Sequence, residues 1–395
     1  MTSGYGTQTR LFVTQVLKLG HPIAICAYYG IVGHMDLWPT EHGNVPVYPP
    51  HIDHHGQDIV GAHCVNWKAD LMMSLMDIWV CEPQRFSDVR WACITPVDQE
   101  PLPIAVAQRA RMAYQPIAMS EFGLKMFEEA EIDARYLPHG YDPRVYAPMS
   151  QRTAREVLGL PQDAFIVGMV AANVGNVQPR KAWYEQIEGF AAFKKRHSDA
   201  VLVLHTCLGM FGEYNGVNIT RICEQNGLTL SYGFHDGTDV MVCDQYSYIA
   251  GFTDRHMNHT YNALDVLLHA SRGEGFGLAS LHAQAVGTPV ITGDWTAMSE
   301  LCWAGWKIPK EDAYKERTML ESHWYVVRPG AVTEALETAY NARGDQKLRR
   351  QAMLGAKPYQ IDEVARRYLK PLLSELEERI EMSKRPNALM AGVGA

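Results

Sequence analysis

The sequence lacks any uncharged apolar run near the roughly 18 residues that a membrane span needs. Its opening, MTSGYGTQTR, lacks the charged and apolar blocks of a secretory signal. The expectation is therefore a cytoplasmic protein without integral membrane contact. No CxxC pair is present. Cys26, Cys64, Cys81, Cys93, Cys207, Cys223, Cys243 and Cys302 are scattered, several inside apolar strand-like runs, which points to reduced core thiols rather than disulfides or zinc. On that reading the sequons at Asn218 and Asn258 stay unused. Basic residues are not in excess: 36 Lys and Arg against 44 Asp and Glu leave a net charge of -8. That argues against a broad basic face for nucleic acid, while leaving room for a local basic groove. Internal repeats, low-complexity segments, a GxGxxG dinucleotide fingerprint and the GK[ST] of a P-loop are also missing.

What is present is 395 residues, 47% hydrophobic and 20% charged, enough to bury two ordinary cores. Apolar runs of strand length alternate with amphipathic helical stretches, the pattern of parallel sheets covered by helices on both faces. The first half predicts a helix from about Thr7 to Leu19, then strands near Pro22 to Tyr28, Asp77 to Val80, Trp91 to Thr95, Pro116 to Met119 and Ala134 to Leu137. A proline-bearing stretch, PHGYDPRVYAPMSQRTAREVLGLPQDA, precedes a new strand at Phe165 and marks the boundary. The second half predicts helix Trp183 to His197, strand Val201 to His205, helix Asn218 to Asn226, a strand near Leu228 to Tyr232 and a helix from about Arg255. Strand Asp265 to His269, a helix from Gly277 and strand Pro289 to Thr292 follow. A last amphipathic helix, about Ile361 to Met382, has no strand after it and is free to pack back on the first domain. The division expected is 1–148, 149–360 and 361–395.

The segment richest in chemistry runs from Tyr261 to Glu300. A buried strand, DVLLHAS, ends in Arg272-Gly273-Glu274-Gly275-Phe276-Gly277, and a helix starts at Gly277. A glycine-rich turn entering a helix N-terminus lets backbone N–H groups approach an anion, and the helix dipole adds favourable partial charge. A diphosphate fits there. Glu274, at the carboxyl end of the strand, can accept hydrogen bonds from sugar hydroxyls. The plainer alternative is a tight turn whose glycines serve packing alone.

The run EGFGLASLHAQAVGTPVI resembles the signature of family 4 retaining glycosyltransferases (glycosyl transferases group 1), whose Glu-Gly-Phe-Gly-Leu opening is followed by a second glutamate eight residues after the first and then by GTPV. PRKAWYEQIEGFAAFKKRHSDAVLVLHT resembles the family's lysine-bearing loop, helix and strand. YLPHGYDPRVYAP resembles its interdomain segment, AMSEFG its serine-containing strand end, and SGYGTQTR its first Gly-rich loop. The resemblance implies an α/β chain of GT-B architecture, in which two Rossmann-like domains with parallel sheets face each other across a cleft and the C-terminal helix crosses back to the first. It implies a hexosyltransferase that takes a sugar from a nucleotide-diphosphate sugar, UDP- or GDP-linked, as co-substrate, with no cofactor and no metal, and retains the anomeric configuration. Glu274 would contact the donor sugar. The backbone of Gly275, Phe276, Gly277 and Leu278 would hold the sugar and distal phosphate. Lys181 falls at the phosphate-binding lysine, with Arg180 as a second cation for the charge that develops on the leaving diphosphate. A solvated helix start is the alternative for both. Gly4, Tyr5 and Gly6 would form the facing loop of the first domain, and Gly251 counts among the donor-binding residues. Asp98 takes the strand end where many members carry a histidine near the reacting centre, and Asp77 is an acceptor-side candidate; either could instead cap a loop.

Three departures limit the transfer. The second glutamate, which typically holds the nucleotide ribose, is His282. The family's arginine a few residues before the lysine has no match, Asn173 or Asn176 standing at about that place. Residues before SGYG are too few for a first Rossmann strand, so that sheet position is expected to be empty or filled by another segment. These departures keep alive a nucleotide-sugar binder without transfer activity, and a GT-B epimerase or phosphorylase is a further alternative. A histidine-rich stretch (His51, Asp53, His54, His55, His63) offers zinc ligand types, but adjacent His54 and His55 point apart in most backbones and a polar loop is expected. Trp67, Trp79, Trp91 and Trp183 read as core. The acceptor stays open among a saccharide, a small molecule, a protein and a modified DNA base, and a homodimer is an expectation.

Overall fold

In the computed structural model, which describes residues 3–28, 33–175, 178–208 and 216–384, the hydroxyl of Ser3 accepts the N–H of Gly6 and caps helix α1 (Gly4–Lys18). Gly4, Tyr5 and Gly6 are therefore the first turn of a helix and not the facing loop expected: the serine cap satisfies a free N–H and lets the helix start on a glycine. Among the described residues no strand precedes α1. A small sheet follows, of β1 (Ile25–Cys26), β2 (Asp36–Thr40) and β3 (Gly43–Tyr48), in the order β1-β3-β2. No strand is expected from sequence at the hairpin β2–β3, and the helix α2 (Val60–Trp67) takes up the end of the histidine-rich stretch expected to be a polar loop. Pro39 and Pro46 obscure the strand pattern, but Pro39 lies on β2 at the sheet edge, where prolines are tolerated, and Pro46 of the central β3 precedes the residues, Val47 and Tyr48, that pair with β1.

The first large sheet is parallel and has four strands, β4 (Met72–Leu75), β5 (Trp91–Thr95), β6 (Gln115–Ala118) and β7 (Arg135–Tyr136), in sequential order. Helices α3 (Ile104–Met112) and α4 (Glu121–Glu129) connect its last three strands. The strand expected at Asp77 to Val80 is a correction. Pairing of Met72 with Trp91 and Leu75 with Ile94 draws MMSL into the sheet, and Ile78–Val80 is a 3-10 turn beyond its carboxyl end. Asp77 thus lies at the strand end rather than inside it.

Helix α5 (Gln151–Leu158) leads to the second sheet, whose strands alternate with helices: β8 (Phe165–Val170), α6 (Trp183–Lys194), β9 (Ala200–His205), α7 (Ile219–Gln225), β10 (Leu230–Ser231), β11 (Val240–Val242), α8 (Gln245–Ala250), α9 (Asp254–Ala263), β12 (Val266–His269), α10 (Leu278–Ala285), β13 (Val290–Gly293) and β14 (Gly305–Ile308). The seven strands run parallel in the order β10-β11-β9-β8-β12-β13-β14. Central strands such as FIVGMV and VLLH are buried on both faces, hence their near-continuous apolar sequence. An antiparallel hairpin, β15 (Ala313–Arg317) and β16 (His323–Val327), precedes helices α11 (Pro329–Asn341) and α12 (Gln346–Ala356).

The chain ends, within the described residues, on α13 (Ile361–Val364), a π turn (Ala365–Leu369) and α14 (Lys370–Lys384). This segment returns to the first half. Glu375 accepts from Arg135 at 2.8 Å, Arg379 donates to the Tyr114 carbonyl at 3.2 Å and Lys384 meets Asp70 at 2.9 Å. Leu369, Leu372 and Leu376 share one apolar cluster with Leu11 and Val16 of α1, Ile94 of β5 and Leu267 of β12.

Candidate functional site

Strand order decides where a ligand can enter. In the second sheet the chain winds outward in one direction from β8 to β9 and in the other from β12 to β13, so a crevice opens at the carboxyl ends of the adjacent strands β8 and β12. The segments leaving those two ends carry Arg180 and Lys181 on one side and Glu274 on the other. Gln186 stitches them together: its amide donates to the Lys181 carbonyl at 2.6 Å and accepts from the N–H of Ala270 at 2.9 Å. The Arg272 N–H adds a bond to the Arg180 carbonyl at 2.8 Å. Backbone strain surrounds this point. Ala182, next to Lys181, has φ +48°, and Thr296, whose hydroxyl accepts the N–H of Glu274 at 3.1 Å, has φ +50°. Left-handed non-glycine residues cost about 1–3 kcal/mol each and concentrate at ligand sites.

Glu274 is buried and both its oxygens carry partners. Oε2 accepts from Arg180 at 2.9 Å, while Oε1 accepts from Lys181 and lies 3.1 Å from Nε2 of His269. Burial alone would raise the carboxyl pKa, but Lys181 and Arg180 overcome it and hold Glu274 well below the usual range. For Arg180 burial works against the charge, and the carboxylates of Glu274 and Asp98 more than offset it. Lys181 is pulled below its ordinary value by burial and by Arg180. Two cations and one carboxylate thus share a site in which Glu274 and Lys181 are largely shielded and Arg180 is partly exposed, an arrangement suited to a further anion.

The first half supplies the opposite wall. Asp98, beyond β5, lies 3.6 Å from Nε of Arg180, and burial, seconded by Asp77 and Glu274, raises its pKa despite the arginine. The Tyr5 hydroxyl donates to Asp77 at 2.7 Å, and burial with Asp77 keeps that phenol protonated. A Cβ on Gly273 would overlap the Asp98 carbonyl, and one on Gly275 would overlap Pro96. A Cβ on Gly4 would stand 3.1 Å from Leu278. The glycines therefore also let two facing loops touch, a use that a turn and a phosphate alone do not require. Gly277, at φ +108°, begins α10 in the left-handed region that favours glycine.

The structure thus brings Glu274, Arg180, Lys181 and Asp98 together, with Tyr5 and Asp77 beside them and Gly4, Gly275, Phe276 and Leu278 along the contact between halves, while Gly277 packs on His269, Met298 and Leu301 of its own half. His282 lies in a buried aromatic nest, stacked on Tyr146 at 3.8 Å and edge-on to Tyr261. Its Nε2 is buried without a hydrogen-bond partner, and burial and nearby His139 push its pKa down to about 3, so the ring is neutral. Gly251 ends α8, bonded to the Ser247 carbonyl, next to Phe252, which stacks on His256 and packs against His205 at the end of β9. Asn173 turns inward to the backbone of Cys207 and Val217, and Asn176 lies outside the described residues. In the histidine-rich stretch His51 pairs with Asp58 and His63 with the Pro49 carbonyl. Sequence reasoning passed over His269. A titratable residue inside the otherwise apolar run VLLHA was the signal.

Solved structures share this architecture. Sucrose-phosphate synthase from Thermosynechococcus elongatus superposes with a TM-score of 0.70 at 14% identity, over 97% of this chain and 94% of that one. Anabaena HepE, solved in complex with UDP and glucose, gives 0.58 at 15% identity over 84% of this chain and 86% of that one. The fold is GT-B. Within this GT-B chain, residues 239–319 match the profile of the glycosyl transferases group 1 family, a span that holds the whole glycine loop and Glu274. Among curated relatives, D-inositol 3-phosphate glycosyltransferase of Stackebrandtia nassauensis is 30% identical over 155 residues, 39% of this chain and 32% of that protein. Its counterpart from Saccharomonospora viridis is 27% identical over 186 residues, 47% of this chain and 40% of that protein. The matched region spans about a third of the relatives' length. The chain resembles the group 1 glycosyl transferases on a GT-B frame. Among the described residues no helix is long and apolar enough to cross a membrane.

Proposed function

We propose that this chain is a retaining glycosyltransferase that takes a hexosyl unit from a UDP- or GDP-linked sugar. The observation that carries the reading is the Glu274–Arg180–Lys181 cluster at the switch point of the second sheet. In this reading residues 149–360 bind the nucleotide sugar, residues 1–148 present the acceptor, and the segment from 361 to 384 packs back on the first half. Glu274 accepts hydroxyls of the donor sugar, backbone amides of Gly275 to Leu278 hold sugar and distal phosphate, and Arg180 and Lys181 turn to the diphosphate. The acceptor approaches from the side of Tyr5, Asp77 and Asp98. It attacks the face that the leaving group departs from, and the diphosphate takes its proton while the two cations hold the growing charge. Closely apposed loops at Pro96 and Gly275 keep water, the competing acceptor, out.

A thermal-shift screen of UDP, GDP, ADP and their sugars tests this. A ligand at 100 times its Kd stabilises by about 2.7 kcal/mol, and the rise in Tm at the same ligand concentration should shrink to about half or less in Lys181→Ala. The reading fails if no nucleotide raises the wild-type Tm, or if one does so equally in the variant.

A further inference from the structure

We propose that His269 is the positioning residue for Glu274, relaying through its imidazole a hydrogen-bonded chain that starts at Ser280; the inference rests on the reading of Glu274 as the sugar-contacting carboxylate. His269 ends β12, five residues before Glu274, and is buried. Its Nε2 lies 3.1 Å from Glu274 Oε1, and its Nδ1 lies 2.7 Å from Ser280 Oγ in the first turn of α10. An ionised carboxylate only accepts, so Nε2 carries the proton. In the neutral ring Nδ1 is then an acceptor, and the Ser280 hydroxyl donates to it. The chain runs one way, Ser280 to His269 to Glu274, and closes the glycine loop from strand end to helix start. Gly277 lies over the ring: a Cβ there would stand 3.6 Å from His269 Cε1.

The other two partners of Glu274 are cations that an incoming diphosphate draws away. His269 carries no such second duty. It keeps hold of Oε1 when Arg180 and Lys181 change partners, so the carboxylate stays ionised and aimed while the sugar is bound. Lys181 and Arg180 fix Glu274 in the free protein, and His269 fixes it in the loaded one.

The test uses the full chain, labelled with ¹⁵N-histidine, and the probe UDP-glucose. Imidazole ¹⁵N shifts at pH 7.5, assigned by the signal lost in His269→Gln, should show a neutral ring protonated at Nε2, and Ser280→Ala should weaken that bias. In UDP-glucose hydrolysis, His269→Leu should lower kcat about tenfold to a hundredfold, the size of one hydrogen bond to a charged group, with KM little changed. His269→Gln, which places an N–H donor near the Nε2 position, should recover much of the loss, and His269→Asn should not. Wild-type kcat in a folded His269→Leu variant, or a ring protonated at Nδ1 alone, overturns the proposal. Should the wild type neither bind nor hydrolyse UDP-glucose, that donor reading fails, and the tautomer measurement still decides the hydrogen-bonded chain.

Discussion

Glu274 and its two cations make opposite demands on a nucleotide ligand. Arg180 and Lys181 attract a diphosphate, while Glu274 competes for both. Glu274→Gln keeps the shape and removes the competing charge. Turnover of UDP-glucose should therefore fall by at least about tenfold, the value of a charge-assisted hydrogen bond, while the affinity for UDP measured by calorimetry should hold or tighten. Lys181→Ala and Arg180→Ala should do the reverse to affinity. Each should weaken UDP by about 1.5–3 kcal/mol and leave uridine nearly untouched. Equal losses for UDP and uridine would place these side chains away from the phosphates. Glu274 was legible in the sequence through its glycine loop at a strand end, whereas Arg180 and Lys181 were legible through the resemblance to family 4 glycosyltransferases. Their mutual pairing was not, since Arg180 and Glu274 meet only when β8 and β12 lie side by side.

The loop between β12 and α10 is built to touch its counterpart after β5. Gly275→Ala would drive a Cβ into Pro96, and overpacking of this kind costs about 1–3 kcal/mol. The urea midpoint should fall accordingly. Pro96→Gly in the same chain should return part of the loss, because the atom in the way is gone. Strictly additive losses in the double variant would mean that the two loops do not meet in solution. At this scale the buried strands were readable as short apolar runs, and β5 falls where Trp91 to Thr95 predicts it. Edge elements were not. The hairpin β2–β3 carries prolines that hide its period, and the strand expected at Asp77 lies earlier because pairing with β5 sets its register.

Across the molecule, Glu300 clasps one half to the other. It follows β13, and its carboxylate accepts the backbone N–H groups of Glu121, at 3.0 Å, and Phe122 at the start of α4. The contact lies beside a cleft of about 550 Å³ between the halves, lined by Phe122, Lys125, Thr296 and Lys310 among others. Burial, with Glu121 adding to it, outweighs these N–H bonds and nearby Lys307 and pushes the Glu300 pKa up to about 7. A carboxyl with a raised folded pKa contributes stability that is complete below its unfolded value, about 4.3, and lost as pH rises through about 7. Between pH 5 and 8 the wild type should lose Tm relative to Glu300→Gln, which has no proton to release. Parallel Tm curves for the two proteins over that range would contradict the shift.

By itself the sequence determined the alternation of strand and helix, the glycine loop that enters α10, the acid at its centre and the pair of cations before α6. Each of these is written in a window of a few residues, where period, turn chemistry and charge act locally. Only the tertiary structure decided that His269 and Ser280 hold Glu274, that Pro96 and Asp98 close on the glycines, that Tyr5 reaches Asp77, and that His282 stacks under Tyr146 with its nitrogen unpartnered. Such contacts depend on which strands become neighbours and how two sheet ends face each other, and at Glu274, Asp98 and His282 burial and the neighbouring charges together then shift the titration.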